Sequence, residues 1–179
     1  GDVWRRRWDS LRLFTPAAYS GLPGMPFPAP PTHLPDRDEV ADYLARYAER
    51  FDLPVRLRTR VASLRREDGR WIVRTDRGRF EADNVVVATG PFHHPKVPAV
   101  AAQLAPEIHQ LHSGDYRSPF ALPEGPALVV GAGNSGAQIA AELADVATVT
   151  WATREPPRFL PAHVDGRYLF EQATARWQA

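Results

Sequence analysis

The run Gly131-Ala132-Gly133-Asn134-Ser135-Gly136 constrains this chain more than any other feature. It follows the apolar stretch Ala127-Leu128-Val129-Val130 and opens Ala137-Gln138-Ile139-Ala140-Ala141-Glu142-Leu143. A GxGxxG pattern alone says little. Set between an apolar strand and an amphipathic helix, it is the fingerprint of a βαβ unit that binds a dinucleotide. The first glycine permits the tight turn, the second lets backbone approach a pyrophosphate, and the third lets helix and strand pack closely. Asn134 and Ser135 open the helix, whose N-terminal N–H groups favour an anion. The expectation is a dinucleotide cradle formed by Gly131, Gly133, Asn134, Ser135 and Gly136.

The next strand bears on which dinucleotide. Ala147-Thr148-Val149-Thr150-Trp151 is short and rich in β-formers, and it leads to Ala152-Thr153-Arg154. A carboxylate about 20 residues past the glycines would bind a ribose 2′-hydroxyl and select NAD. Thr153 and Arg154 occupy that point, a hydroxyl and a planar cationic fork suited to a 2′-phosphate. The expected cofactor is NADPH. Glu155, one residue on, keeps NADH open, because a one-residue shift would put a carboxylate at the site.

Composition narrows the partners. The 179 residues are 44% hydrophobic and 24% charged, so the chain can bury a core. A net charge of +1 supplies no global field to recruit nucleic acid or anionic membrane, and Arg5-Arg6-Arg7 reads as a solvated face. No apolar run approaches the roughly 18 residues of a membrane span and no signal-peptide pattern opens the chain, so a cytoplasmic location is the default. The chain has no cysteine, which excludes a disulfide framework, a thiolate zinc site, an iron–sulfur cluster and a CxxC-based disulfide reductase within it. It begins Gly1-Asp2-Val3-Trp4 without a methionine and stops at Gln178-Ala179, inside an amphipathic stretch from Tyr168. A portion of a longer protein is expected.

The first 36 residues, with Trp4, Trp8, Phe14, Tyr19 and Phe27, read as an ordered irregular loop whose aromatics cover something. Asp36-Arg37-Asp38-Glu39 starts a helix, Val40, Tyr43, Leu44, Tyr47 and Phe51 mark its buried stripe, and Pro54 ends it. Val55–Arg58, Val61–Leu64, Trp71–Thr75 and Phe80–Ala82 read as strands of a small antiparallel meander, with turns at Glu67-Asp68-Gly69-Arg70 and around Asp76 and Gly78. Asn84-Val85-Val86-Val87-Ala88-Thr89-Gly90 has the continuous apolar character of a buried parallel strand. His93-His94, His109 and His112 lack the spacing and the third ligand of a metal site, and no serine-hydrolase pattern is present.

Taken together, these stretches resemble the flavin-containing monooxygenase superfamily, and more closely its bacterial members described as potassium-transport-linked oxidoreductases or single-component flavin monooxygenases. Val86-Val87-Ala88-Thr89-Gly90 before Pro95-Lys96-Val97-Pro98 is similar to the strand near FAD. His112-Ser113-Gly114-Asp115-Tyr116-Arg117 resembles the histidine-to-tyrosine signature that precedes the second nucleotide loop, and Arg154–Pro161 resembles the segment that follows it. Gly1-Asp2-Val3-Trp4-Arg5 resembles the Gly-x-x-Trp segment. Three departures stand out. The family's first GxGxxG loop would precede Gly1. Pro106 and Ile108 replace the phenylalanine and glycine before the signature histidine, and Phe14 stands where an asparagine near the flavin is expected.

The resemblance implies an α/β flavoprotein with two dinucleotide-binding domains, built on Rossmann-like parallel sheets plus the small meander, incomplete in this chain. Residues 1–122 would be the remainder of an FAD domain, and residues 123–179 the start of an inserted NAD(P)H domain. Trp4, Arg5, Val61, Ala88, Thr89 and Gly90 would flank FAD. The implied activity is NADPH-dependent oxygenation of a small organic substrate by molecular oxygen, through a flavin hydroperoxide, with no side chain acting as acid or base. A non-oxygenating NAD(P)H–flavin oxidoreductase and a non-catalytic NAD(P)-sensing regulator of transport are the alternatives.

Overall fold

The computed structural model describes residues 1–90, 95–159, 161, 164 and 166–178. In chain order the elements are α1 (Asp2–Arg5), α2 (Arg37–Arg50), β1 (Val61–Glu67), β2 (Arg70–Thr75), β3 (Gly78–Ala82), β4 (Ala127–Val130), α3 (Asn134–Ala144), β5 (Val149–Ala152) and α4 (Gly166–Gln178). The chain divides into two compact units, one of Gly1–Tyr47 with Lys96–Ala179 and one of Ala48–Pro95.

In the first unit, β4 and β5 pair in parallel, with Val130 opposite Ala152, and α3 makes the crossover between them. Ile139, Ala140 and Leu143 line one side of α3, where helical spacing stacks them, and all three are buried. Ile139 and Leu143 join Trp8, Leu11 and Tyr116 in one core cluster, with Ala127, Val129 and Val149 packed against it. Of the loop aromatics, Trp8 and Trp4 cover the βαβ unit, whereas Phe14 and Tyr19 are exposed. A second cluster gathers Ala17, Phe27, Val40 and Tyr43 under α2. Trp4 packs against both clusters.

The start of α2 is a reciprocal cap. The Asp36 carboxylate accepts the N–H groups of Asp38 and Glu39, both at 2.9 Å, and the Glu39 carboxylate accepts the Asp36 N–H at 2.8 Å. Further along the helix, the Tyr43 hydroxyl accepts the Leu22 N–H and donates to the Met25 carbonyl, both at 2.6 Å, which fastens the Pro- and Gly-rich loop onto the helix.

The second unit holds the antiparallel meander β1-β2-β3. Glu67 faces Arg70 across the two-residue turn Asp68-Gly69, both with positive φ (48° and 83°), the mirror-image turn that matches strand twist. Three sequence expectations fail in this unit. Phe51, expected on the buried stripe of the helix, lies one residue past the end of α2 and is exposed. Val55–Arg58 is not a strand: Val55 and Leu57 are exposed and Arg58 takes a φ of 52°. Asn84–Gly90 is likewise outside any strand, with Val86 and Val87 at 89% and 68% exposure. An apolar run becomes a buried parallel strand only through ladder partners on its flanks, and no described residue pairs with either segment.

Candidate dinucleotide site

The alternation along β4 sends Ala127 and Val129 inward and Leu128 and Val130 outward. The chain then turns at Gly131, whose φ of 113° is a conformation side chains rarely adopt. Its N–H donates to the Ala152 carbonyl at 2.9 Å, extending the ladder one step past the strand. Its carbonyl accepts the Trp151 indole N–H at 2.8 Å. Both polar groups of the first glycine are thus held by β5.

The other two glycines separate clearly. A methyl group at Gly136 would sit 2.6 Å from the Gly131 carbonyl oxygen, so only glycine lets α3 come this close to the turn. Gly133 has no atom within 4 Å of the corresponding point, so its face of the loop is open. It is the N-cap of α3, accepting the Ala137 N–H at 3.0 Å, and the helix start carries no side-chain cap. Asn134 is exposed and Ser135 half-buried beside it. A backbone that can be approached, at an uncapped helix start, fits a pyrophosphate.

Thr153 and Arg154 follow β5 directly, so they share the carboxyl edge of the sheet with the glycine turn. That edge is where open α/β sheets take ligands. Arg154 is exposed and makes no ion pair among the described residues. Glu155 is exposed as well.

Two contacts around this unit escaped the sequence reading. One is the indole bond of Trp151; period-two alternation marks its side chain as inward with Val149, but nothing in the residues names its acceptor. The other joins the histidine-to-tyrosine segment to the crossover helix. Tyr116 is 2% exposed, and its hydroxyl donates to the Glu142 carboxylate at 3.0 Å. Burial, reinforced by that carboxylate, pushes the Tyr116 phenol above its ordinary pKa.

The residues assigned to FAD fall in both units. Trp4 is half-buried in the first and borders a cavity of about 290 Å³ with Leu13, Thr15, Phe27 and Tyr43. Arg5 pairs with Asp42 and lies 3.5 Å from Asp38, which commits its guanidinium to α2. Val61, Ala88, Thr89 and Gly90 belong to the second unit and are exposed. His93 and His94 lie outside the described residues. His112 accepts the Gly114 N–H through Nδ1 at 3.1 Å, and no group of three metal-binding side chains occurs among the described residues. No described helix is long and apolar enough to cross a membrane.

A family model described as pyridine nucleotide-disulphide oxidoreductase matches residues 5–164. An uncharacterized CzcO-like oxidoreductase of Geobacillus kaustophilus is 48% identical over 170 residues, covering 95% of this chain and 49% of the relative. The probable indole-3-pyruvate monooxygenase YUCCA9 of Arabidopsis thaliana is 32% identical over 178 residues, covering 94% of this chain and 42% of the relative. The flavin-containing monooxygenase from Stenotrophomonas maltophilia superposes with a TM-score of 0.87 at 38% identity, over 98% of this chain and 56% of that one. The chain thus spans about half the length of the relatives it matches. Its α/β fold is that of the two-dinucleotide-binding flavoproteins. With an open glycine turn, an arginine on the same sheet edge and a family match over most of its length, the chain belongs to the pyridine nucleotide-disulphide oxidoreductase family.

Proposed function

We propose that this chain is part of a flavin-dependent oxidoreductase, with the 131–136 loop holding the nicotinamide dinucleotide that reduces the flavin. One observation carries the reading: the glycine turn is open at Gly133, closed to any side chain at Gly136, and shares its sheet edge with Arg154. Gly133, Asn134 and Ser135 would face the pyrophosphate, and Thr153 and Arg154 the 2′-phosphate of NADPH. Residues 1–122 would contribute to the FAD domain and residues 123–179 to the NADPH domain. Trp4 and Arg5, together with Val61 and Ala88-Thr89-Gly90, would lie along FAD.

The bound flavin would supply the redox chemistry, accepting a hydride and activating molecular oxygen to oxygenate a small organic substrate. The side chains named here bind and orient; none is required as an acid or base. A second reading, hydride transfer without oxygenation, draws on Phe14, which stands where the monooxygenase resemblance expects an asparagine.

The test uses the full-length protein. It should be yellow, and NADPH should bleach it without oxygen. Colourless protein that still binds NADPH would instead support a nucleotide sensor. Oxygen consumption that yields only hydrogen peroxide with every candidate substrate would select the non-oxygenating reading. Arg154→Ala should weaken NADPH binding by about 1–3 kcal/mol, the loss expected for hydrogen bonds to a charged group, and leave NADH nearly unchanged. Equal losses for the two nucleotides would remove Arg154 from the 2′-phosphate.

A further inference from the structure

We propose that Trp151 is a positioning residue for the phosphate loop, using its indole N–H to hold the Gly131 carbonyl away from the bound pyrophosphate. The inference rests on the dinucleotide role proposed for residues 131–136. A carbonyl oxygen is the negative end of its dipole, and one turned toward a pyrophosphate opposes binding. In the Gly131 turn the N–H is already committed to Ala152 at 2.9 Å, so the carbonyl is the group left to control. A φ of 113° at a residue without a side chain leaves the turn free to choose other conformations, and Gly136 packs directly above the same oxygen. The indole bond at 2.8 Å selects one of them.

The geometry also explains why a tryptophan serves on β5. Trp151 lies on the inward face of the strand with Val149, half-buried, and Phe159 packs on it with ring centroids 6.1 Å apart and a tilt of 56°. The ring is therefore braced on one side while its N–H reaches across the ladder to the turn. Three residues after the indole comes Arg154. One strand thus sets both the orientation of the phosphate loop and the place of the cation meant for the 2′-phosphate.

A positioning role predicts a pattern of ligands, not only a loss. In the full-length protein, Trp151→Phe keeps the aromatic packing and removes the donor. NADP⁺ and NAD⁺, which both carry the pyrophosphate, should each bind roughly threefold to tenfold more weakly, the range for one lost hydrogen bond. Adenosine 2′-monophosphate, which lacks the pyrophosphate, should bind within about twofold of wild type. Equal weakening of all three ligands would mean general loosening and would overturn the proposal, as would unchanged NADP⁺ affinity. If the phenylalanine variant does not fold, Phe159→Leu carries the test, since Phe159 is 73% exposed and its loss loosens the indole alone. There the two dinucleotides should weaken together while adenosine 2′-monophosphate does not, and unchanged dinucleotide affinity would overturn the proposal. Failure of the wild-type protein to bind any dinucleotide would instead defeat the function proposed for the loop.

Discussion

Gly133 and Gly136 are three residues apart and differ in what a methyl group would meet. At Gly136 it strikes the Gly131 carbonyl oxygen at 2.6 Å, backbone against helix, with no flexible side chain to give way. Gly136→Ala should therefore cost roughly 1–3 kcal/mol of stability, the usual cost of overpacking, read from urea unfolding. At Gly133 the methyl meets nothing. Gly133→Ala should keep stability within about 1 kcal/mol, the difference between glycine and alanine at an N-cap, while weakening NADP⁺ severalfold in a titration. The open space at Gly133 and the close approach at Gly136 were legible in the sequence because GxGxxG is a statement about steric room. The indole bond of Trp151 was not, because a hydrogen bond from one strand to the turn beyond its neighbour depends on register and rotamer.

Elements were legible where local chemistry decides them. The Asp36-to-Glu39 start of α2 closes into a reciprocal cap, and the Asp68-Gly69 turn fixes the β1–β2 register. Asp36→Ala should cost about 1 kcal/mol, read as a lower midpoint in urea with unchanged slope. Asn84–Gly90 shows the opposite limit. Its apolar character reads as strand, but strand formation is a property of a ladder, and Val86 and Val87 stand exposed without one. The exposed face of the β4–β5 pair has the same origin: Leu128 and Val130 carry apolar side chains outward, where parallel sheets ordinarily receive a second layer.

Among long-range contacts, the bond between Tyr116 and Glu142 ties a loop to the crossover helix in a way that pH can probe. Burial and the neighbouring carboxylate hold the phenol neutral in the folded protein to a higher pH than in the unfolded chain. The folded state then binds this proton more tightly, so the contribution is complete below about pH 10 and is lost as pH rises through the folded value. Tyr116→Phe should cost about 1–2 kcal/mol near neutrality, and unfolding measured from pH 8 to 11 should fall less steeply in the variant. A steeper fall in the variant would contradict this assignment.

Trp4 has a consequence of another kind. It touches both buried clusters of the first unit, the one around α3 and the one under α2. Melting either cluster would uncover the indole packed against the other, so α3 and the amino-terminal coil on α2 would be coupled through Trp4. Through that one ring, a perturbation at α3 would be felt as a change in the cooperativity of the whole unit.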